Sequence, residues 1–273
     1  MRERNVDIER MGMALPTLLY MSKQRDNDRP PSTTELISGS CQAYLQRTED
    51  YYINPQGNAF SLAGTIHHNK LEDSASSDMM AELSLEYEGI TGIVDLYDSK
   101  SKTLIDYKNT GSYKASQILG LQSTEEEHPT EVYKRGGRWG AKGSPKIIKV
   151  FYRDPATADF GDWGWQINFY RLMLEENGYD VNNMYLQMTI RDGGVHAAKS
   201  RGVYDNIYLV EVPYINNEVL KRKFLDKRDI LISSLETKTV PTMCTPEETW
   251  DGRKCESYCP VREVCPYMEN NNE

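Results

Sequence analysis

The chain has 273 residues, of which 38% are hydrophobic and 27% are charged, and this composition is typical of a folded globular protein. Its 41 acidic residues outnumber its 32 basic residues, and the net charge of −9 argues against a protein that coats nucleic acid with its whole surface. A nuclease can still be acidic overall, because its metal ligands are carboxylates and only one groove must attract phosphates. The sequence has no run of about 18 apolar residues, so we expect no membrane span.

The first apolar segment is Met11–Met21, which follows a head that mixes arginines with acidic residues. A secretory signal peptide has a basic head and a small-residue cleavage site, and this segment fits neither requirement. We therefore interpret it as the first core helix and expect a cytoplasmic protein in a reducing compartment. In such a compartment the five cysteines are better interpreted as metal ligands or buried thiols than as disulfides.

Two further helices are predicted before the first strand. Ser32 and Glu35 have the spacing of a capping box, in which two side chains satisfy the free amide groups that open a helix. We expect this helix to run through Tyr44. Gly64 precedes a second helical stretch, which contains the adjacent histidines His67–His68.

An antiparallel hairpin is predicted next. Ile90–Tyr97 and Lys102–Lys108 are short apolar segments separated by a polar turn. Because residues two apart in a strand face the same way, Asp106 and Lys108 project together. Asp95 on the neighbouring strand can reach the same place. The hairpin therefore predicts two carboxylates beside one ammonium group.

The second half of the chain alternates predicted strands and helices. Residues 121–145 are expected to be irregular, because an acidic stretch is followed by a basic, glycine-rich one. Asp162–Glu176 has helical periodicity and closes at Asn177–Gly178, which is typical of a helix end. Three more strands and a long amphipathic helix are predicted at Lys146–Tyr152, Asn183–Ile190, Ile207–Pro213 and Asn217–Leu235.

The predicted hairpin carries the chemistry. Two carboxylates beside an ammonium group suit Mg²⁺, which prefers oxygen ligands and keeps several waters. Such an ion lowers the pKa of a bound water and polarises a phosphate, while Lys108 would hold or help deprotonate that water. The alternative is a salt-bridged Asp and Lys on a solvated face, which is common on hairpins. Against it, both acids follow apolar pairs, and acids beside buried apolar runs are costly unless they have a partner or a function.

Four motifs, in this order, resemble the RecB-like branch of the PD-(D/E)XK nuclease superfamily. The upstream motif Gly-x-x-x-His is matched by Gly64 and His68, and the downstream motif Gln-x-x-x-Tyr is matched by Gln166 and Tyr170. The central motifs are matched by Gly92-Ile93-Val94-Asp95 and by Ile105-Asp106-Tyr107-Lys108.

This resemblance implies an α/β fold with a restriction-endonuclease-like core, in which a mixed central β-sheet is flanked by helices. It implies a single nuclease domain over residues 1–273, with the core at about 32–240. Residues 241–273 would form a cysteine-rich, iron–sulfur-binding tail packed against the N-terminal helices.

The resemblance also implies a role for each motif residue. The implied metal ligands and catalytic lysine are His68, Asp95, Asp106, the backbone carbonyl of Tyr107, and Lys108. Gln166 and Tyr170 would position this lysine or the DNA end. Ordinary alternatives remain: His67 could take the place of His68, and Gln166 and Tyr170 could simply pack on one helical face.

The C-terminal cysteines form a second candidate site. Cys255, Cys259 and Cys265 lie within one short segment, and clustered thiols in an intracellular chain usually bind metal. Zinc is the general interpretation. The arrangement also resembles the iron–sulfur members of the RecB-like group, such as AddB-type and CRISPR-associated nucleases, which carry one further cysteine far upstream. That resemblance implies a structural [4Fe–4S] cluster with Cys41 as the fourth ligand, and Cys244 is the alternative.

A basic stretch is the candidate DNA contact. The cations that we assign to DNA binding are Lys134, Arg135, Arg138 and Lys142, in a glycine-rich stretch without acidic residues. Trp139 among these cations offers a stacking surface, which suits single-stranded nucleic acid. The alternative is a solvated loop with no partner. The stretch lies in an insertion relative to the family, between Lys108 and Gln166.

Taken together, the sequence predicts a Mg²⁺- or Mn²⁺-dependent deoxyribonuclease, an exonuclease that acts on single-stranded DNA or DNA ends. Its expected partners are DNA, further copies of the chain, and recombination or CRISPR proteins. One alternative is a non-catalytic DNA-end binding or adaptation factor with the same fold. Another is a structural zinc-binding protein in which the acids are incidental.

Overall fold

The computed structural model describes residues 12–21, 27–52, 59–74, 76 and 78–268. It is a mixed α/β structure with a central mixed sheet flanked by helices. Within the described residues, no helix combines the length and the apolar character needed to cross a membrane. The charged head at residues 1–11, which argued against a signal peptide, lies outside the described residues.

The helices are α1 (Leu15–Met21), α2 (Thr33–Ile37), α3 (Ser40–Thr48), α4 (Ala59–Glu72), α5 (Ser112–Ile118), α6 (Gly161–Glu176), α7 (His196–Lys199), α8 (Asn217–Thr237), α9 (Pro246–Thr249) and α10 (Arg253–Ser257). The strands are β1 (Met79–Tyr87), β2 (Ile90–Asp98), β3 (Thr103–Thr110), β4 (Leu121–Val132), β5 (Pro145–Arg153), β6 (Asn183–Ile190) and β7 (Ile207–Glu211). Two compact units divide the chain: unit 1 takes the described residues of Met1–Leu104, Trp165–Asn182 and Tyr214–Glu273, and unit 2 takes Ile105–Gly164 and Asn183–Pro213.

Five strands form the central sheet in the order β1-β2-β3-β6-β7, and β4 pairs with β5 in a separate two-stranded sheet. In unit 1, β1 runs antiparallel to β2 with Leu85 opposite Gly92. In unit 2, β6 runs antiparallel to β7 with Gln187 opposite Leu209. Every second side chain of β6 is buried, beginning at Met184, as expected for a strand with one face against the core.

The core of unit 1 lies between α6 and α8. Phe169 and Phe224 are both fully buried, and their rings stack with centroids 3.8 Å apart. Arg171 is also fully buried, and its guanidinium donates to the Ile215 carbonyl at 2.8 Å and to Asn217 Oδ1 at 2.6 Å. The cation therefore ties α6 to the start of α8 through charge-assisted hydrogen bonds.

In unit 2, the start of α5 is tied to the segment that follows β6. The Asp192 carboxylate accepts hydrogen bonds of 2.6 Å from both the amide and the hydroxyl of Ser112. The hydrogen bond from the Ser112 side chain holds the pKa of Asp192 below its ordinary value. A carboxylate at a helix start is favourable, because it satisfies amide groups that have no partner inside the helix.

Most predicted elements are confirmed within a few residues. The two hairpin strands appear as β2 and β3, and the predicted helix after residue 162 appears as α6. This helix ends as predicted, because Gly178 has a φ of +87° and the Tyr179 amide donates back to the Leu174 carbonyl. The later strands and the long helix appear as β5, β6, β7 and α8.

Two predictions of local structure are wrong. The helix that was expected to run from Ser32 through Tyr44 is two helices, because Gly39 has a φ of +107° and breaks it. Residues 121–145 were expected to be irregular, but the first part is strand β4. This strand has almost no buried side chain, so it lacks the apolar alternation by which strands are recognised. Pairing with β5 explains it, for example where Glu125 lies opposite Lys149.

Candidate metal site, cysteine cluster and basic loop

Unit 1 brings together one histidine and two acids. His68 comes from α4, Glu82 from β1 and Asp95 from β2, and each offers one ligand atom within 4.8 Å of the others. His68 Nδ1 and Asp95 Oδ1 lie 3.3 Å apart, and their side chains are 26% and 10% exposed. Of the predicted ligands, the structure therefore brings His68 and Asp95 into contact. An imidazole nitrogen and two carboxylate oxygens form a donor set that suits Mn²⁺ and, with its carboxylates, Mg²⁺.

The neighbouring histidine occupies a different position. His67 packs edge-on against the His68 ring, with centroids 6.1 Å apart. Burial and the adjacent His68 lower the pKa of His67, so its neutral form is favoured. Because the Asp95 contact is made by His68, the geometry favours His68 over His67 as the ligand.

A cavity of about 1480 Å³ opens beside this donor set, entirely within unit 1. His68, Glu82 and Asp95 all line it, so their ligand atoms face space that a substrate could occupy. Much of the remaining lining is neutral and polar, including Gln42 and Gln46. Amide side chains both donate and accept hydrogen bonds, so these walls can bind a polar ligand without requiring a particular charge.

One wall of the cavity is fixed by a buried ion pair. Arg47 Nε lies 2.7 Å from Glu35 Oε1, and both side chains are 6% exposed. A second contact, from Arg47 Nη2 to Glu35 Oε2 at 2.8 Å, makes the pair bidentate. Burial alone would raise the pKa of Glu35, but the hydrogen bond and charge of Arg47 hold it below its ordinary value. This carboxylate is therefore already paired, and we do not assign it to the metal site.

The predicted Gln-x-x-x-Tyr helix is α6. Gln166 and Tyr170 are both buried, and Gln166 Nε2 donates to the Tyr170 hydroxyl at 2.9 Å. Tyr170 also lines the cavity and packs against Gly92 of β2. A Cβ atom at Gly92 would lie 2.9 Å from Tyr170 Cε1 and 2.8 Å from Met173 Sδ, so this glycine permits the close approach of helix and strand.

Unit 2 holds the acid–lysine pair of β3. Lys108 Nζ lies 2.7 Å from Asp106 Oδ2, so the two side chains project together as the strand spacing predicts. Asp106 is 1% exposed and Lys108 is 15% exposed. The lysine ammonium also lies 5.7 Å from the centroid of the Trp163 ring, within the range of a cation–π interaction. Tyr107, between the pair, is half-buried.

The five cysteines form one connected cluster in unit 1. Cys41 is buried on α3, and its thiol interacts with Cys244 and Cys265. The hydrogen bond with Cys244 and burial raise the pKa of Cys41, and the same hydrogen bond lowers the pKa of Cys244 to about 7. Burial raises the pKa of the Cys255 and Cys259 thiols, and the charge of the neighbouring Cys244 raises both pKa values further.

The cysteine-rich segment packs on the early helices. Lys254 Nζ donates to the Ser38 carbonyl at 2.9 Å, and Lys227 Nζ donates to the Leu36 carbonyl at 3.1 Å. A Cβ atom at Gly39 would lie 3.0 Å from Cys244 Sγ. These contacts cap the carbonyl end of α2 with two lysines, and they bring Cys244 beside the turn that leads to Cys41.

The basic stretch connects β4 to β5 at the end of their two-stranded sheet. Lys134, Arg135, Arg138 and Lys142 are all exposed. Trp139 is 75% exposed, and Arg138 lies 5.4 Å from the centroid of its ring. Backbone hydrogen bonds of 3.0 and 3.2 Å between Gly137 and Gly140 close a tight turn around this pair. We call residues 134–142 the basic loop.

Glu82 is the site residue that sequence reasoning missed. It belongs to no motif, and its strand carries a second acid, Glu86, so nothing in the pattern distinguishes it. The signal that could have found it is only its place opposite Asp95, and that requires the strand register.

Comparisons with known proteins assign no family. No family model matches the chain, and no curated protein matches it. Among solved structures, that of SSO0001 has 13% sequence identity and a TM-score of 0.44, with 92% of each chain covered. A "Putative exonuclease" from Eubacterium rectale has 9% identity and a TM-score of 0.37, with 96% of this chain and 95% of that chain covered.

Proposed function

We propose that the protein is a divalent-metal-dependent deoxyribonuclease that acts on single-stranded DNA or DNA ends. The observation that carries the proposal is the contact between His68 and Asp95 at the wall of a large polar cavity. A catalytic metal site needs ligands fixed by the fold and open space beside them for water and substrate. In unit 1, the contact between His68 and Asp95 and the cavity beside it support the proposal.

The donor set fits the proposed ion. His68 and Asp95 would hold Mg²⁺ or Mn²⁺, and Asp106 and the Tyr107 carbonyl are proposed as further ligands on the motif resemblance. When bound, the ion would supply charge at the phosphate and lower the pKa of an attacking water. Lys108 Nζ lies 2.7 Å from Asp106 Oδ2, and the lysine would orient the water and offset negative charge on the phosphate.

Gln166 and Tyr170 of α6 would position the substrate without reacting with it. The hydrogen bond from Gln166 fixes the Tyr170 hydroxyl, and the Tyr170 ring packs against Gly92, three residues before Asp95. This places a rigid aromatic side chain in the cavity wall beside β2. We assign Tyr170 to substrate positioning and Gln166 to holding Tyr170.

We further propose that the cysteine cluster holds a structural [4Fe–4S] cluster, with Cys41, Cys255, Cys259 and Cys265 as ligands. The support is that thiols from both ends of the chain converge, and that Cys41 is buried among them. When bound, such a cluster would join the early helices to the C-terminal segment. It would take no part in hydrolysis, because hydrolysis transfers no electrons.

We assign DNA contact to the basic loop. Its cations are exposed and carry no acidic neighbour within the loop, whereas the protein as a whole is acidic. Phosphates would therefore be attracted to this loop more than to the rest of the surface. The exposed Trp139 ring can stack on an unpaired base, which favours single-stranded over double-stranded DNA.

Cleavage of labelled DNA in Mn²⁺ tests the proposal. We expect the wild-type protein to shorten linear single-stranded DNA, and we expect Asp95→Asn to lower the rate by at least about 100-fold, because a ligand is lost without a change in shape. Asp180→Asn is the matched control, since Asp180 is an exposed acid of the same unit.

Circular single-stranded DNA separates the modes of action, because an exonuclease leaves it intact. If Asp95→Asn and the wild type cleave equally, the proposal is wrong. If the wild type binds DNA ends and cleaves nothing, the alternative of a non-catalytic end-binding factor replaces it.

A further inference from the structure

Glu82 stands in a conformation that its neighbours in β1 do not share. Its φ is +48°, a left-handed value that is costly for a residue with a side chain, and yet it lies inside a strand. Ala81 pairs with Leu96 and Leu83 pairs with Val94, so Glu82 and Asp95 lie across from each other between these two pairs. Two acidic residues opposite each other on paired strands repel.

The backbone conformation at this position is unfavourable for a residue with a side chain. The carboxylate of Glu82 nevertheless lies within 4.8 Å of the ligand atoms of His68 and Asp95, at the cavity wall. A divalent cation among these atoms would neutralise the two carboxylates and turn their repulsion into shared attraction. An imidazole with two carboxylates also leaves further coordination positions for water or substrate.

We propose that Glu82 is a further ligand of the cation held by His68 and Asp95. The ligand set drawn from the motifs does not include it. The inference rests on the proposed function for the role of the ion, but the binding itself can be measured without cleavage. Glu82 then has a physical reason for its left-handed backbone, because this conformation turns its carboxylate toward the other two ligands.

Mn²⁺ binding to the full chain tests the inference. It is measured by the decrease in the electron paramagnetic resonance signal of the free ion as the ion binds. Glu82→Gln removes the charge and keeps the size, and we expect it to weaken Mn²⁺ binding by at least about 10-fold. Glu86→Gln is the matched control, because Glu86 is an exposed acid of the same strand, and we expect its affinity to equal that of the wild type.

Glu82→Gly provides a second variant in case the Glu82→Gln protein does not fold. Glycine adopts a positive φ without cost, so we expect this protein to unfold at a higher temperature than the wild type in the absence of metal. We also expect Mn²⁺ to raise its unfolding temperature much less than it raises that of the wild type.

The outcomes separate the inference from the proposed function. If His68→Ala and Asp95→Asn weaken Mn²⁺ binding but Glu82→Gln and Glu82→Gly do not, the inference is wrong and the nuclease proposal stands. If binding depends on Glu82 but the wild type cleaves no DNA in Mn²⁺, the nuclease proposal is wrong and the inference stands. A wild-type protein that binds no Mn²⁺ overturns both.

Discussion

The ammonium of Lys108 lies 2.7 Å from Asp106 Oδ2, and the carboxylate side chain is only 1% exposed. A charge buried this deeply is costly unless an opposite charge stays beside it. The pair therefore contributes to folding as well as to the proposed chemistry, and the two contributions can be measured separately.

We predict that Lys108→Met destabilises the protein by about 3–5 kcal/mol, because it leaves the Asp106 carboxylate buried without its cation. The measurement is urea unfolding in the presence of a chelator. Lys102→Met is the control, since Lys102 pairs with Asp180 at 2.6 Å but both side chains are largely exposed. We expect the control to lose much less stability, because an exposed ion pair is screened by solvent and contributes little. Equal losses in the two variants would contradict the prediction.

The ion pair between Glu35 and Arg47 predicts a pH dependence. Arg47 holds the pKa of the buried Glu35 carboxyl below its ordinary value, against the opposing effect of burial, so the folded state favours the charged form. The stabilisation is therefore fully present above an ordinary pKa of 4.5 and is lost as the pH falls through the lower pKa of the folded state.

Glu35→Gln should consequently lower the free energy of unfolding by about 1.5–3 kcal/mol at neutral pH. The difference from the wild type should shrink below pH 4.5, the ordinary pKa of the group. Glu131→Gln is the control, because the Glu131 pair with Lys146 is exposed and should contribute little at any pH. A constant difference between pH 7 and pH 3 would argue against the ion pair as its source.

The elements that could be predicted from sequence are those with local signals. The strand pair β2 and β3 has apolar runs around a polar turn, and α6 has helical periodicity and a glycine at its end. The contacts of His68 with Asp95 and of Lys108 with Asp106 also follow, because motif order and strand spacing place these residues.

The features that could not be predicted depend on pairing between distant segments. Strand β4 is exposed on nearly every residue, so only its partner β5 reveals it. Glu82 becomes a site residue through the register of β1 against β2 and through a left-handed backbone that no sequence rule assigns to glutamate. Cys244 meets Cys41 beside Gly39, where an added Cβ would lie 3.0 Å from Cys244 Sγ.

The close packing of α6 against β2 at Gly92 gives a testable prediction. An added Cβ would lie 2.8 Å from Met173 Sδ and 2.9 Å from Tyr170 Cε1. We therefore expect Gly92→Ala to destabilise the protein by about 1–3 kcal/mol through overpacking. Gly64→Ala is the control, because nothing lies within 4 Å of its added Cβ in the middle of α4. The control should gain up to about 1 kcal/mol in the free energy of unfolding. Thermal unfolding should therefore show a lower unfolding temperature for Gly92→Ala and an unchanged or higher one for Gly64→Ala, and a change of the same sign in both variants would refute the prediction.

The cysteine cluster predicts which thiols hold iron. After anaerobic purification we expect the wild type to contain iron and acid-labile sulfide, and we expect Cys41→Ala to lose both. Cys244→Ala should keep them, because Cys244 is the fifth cysteine of the set and is not among the proposed ligands. The reverse result would exchange the two cysteines in the assignment. A colourless wild-type protein loaded with zinc would refute the iron–sulfur proposal.

The basic loop predicts a salt dependence of DNA binding. Each cation that contacts a phosphate of single-stranded DNA contributes about 0.7 to the slope of log affinity against log salt. A triple variant, Arg135→Ala, Arg138→Ala and Lys142→Ala, should therefore lower the magnitude of the slope by about 2 if all three bind phosphates. Fluorescence anisotropy of a labelled oligonucleotide across a salt series, in a chelator to prevent cleavage, gives the slope.

A matched triple variant distinguishes the effect of the basic loop from the effect of a change in net charge. It replaces the exposed cations Lys100, Lys199 and Arg222 by alanine, which changes the net charge equally. We expect its slope to equal that of the wild type, because a cation acts through counterion release only where it contacts the strand. Trp139→Ala should weaken binding without changing the slope, since stacking releases no counterions. Equal slopes in the two triple variants would remove the basic loop from the DNA path and leave the cavity walls as the place to search for contacts.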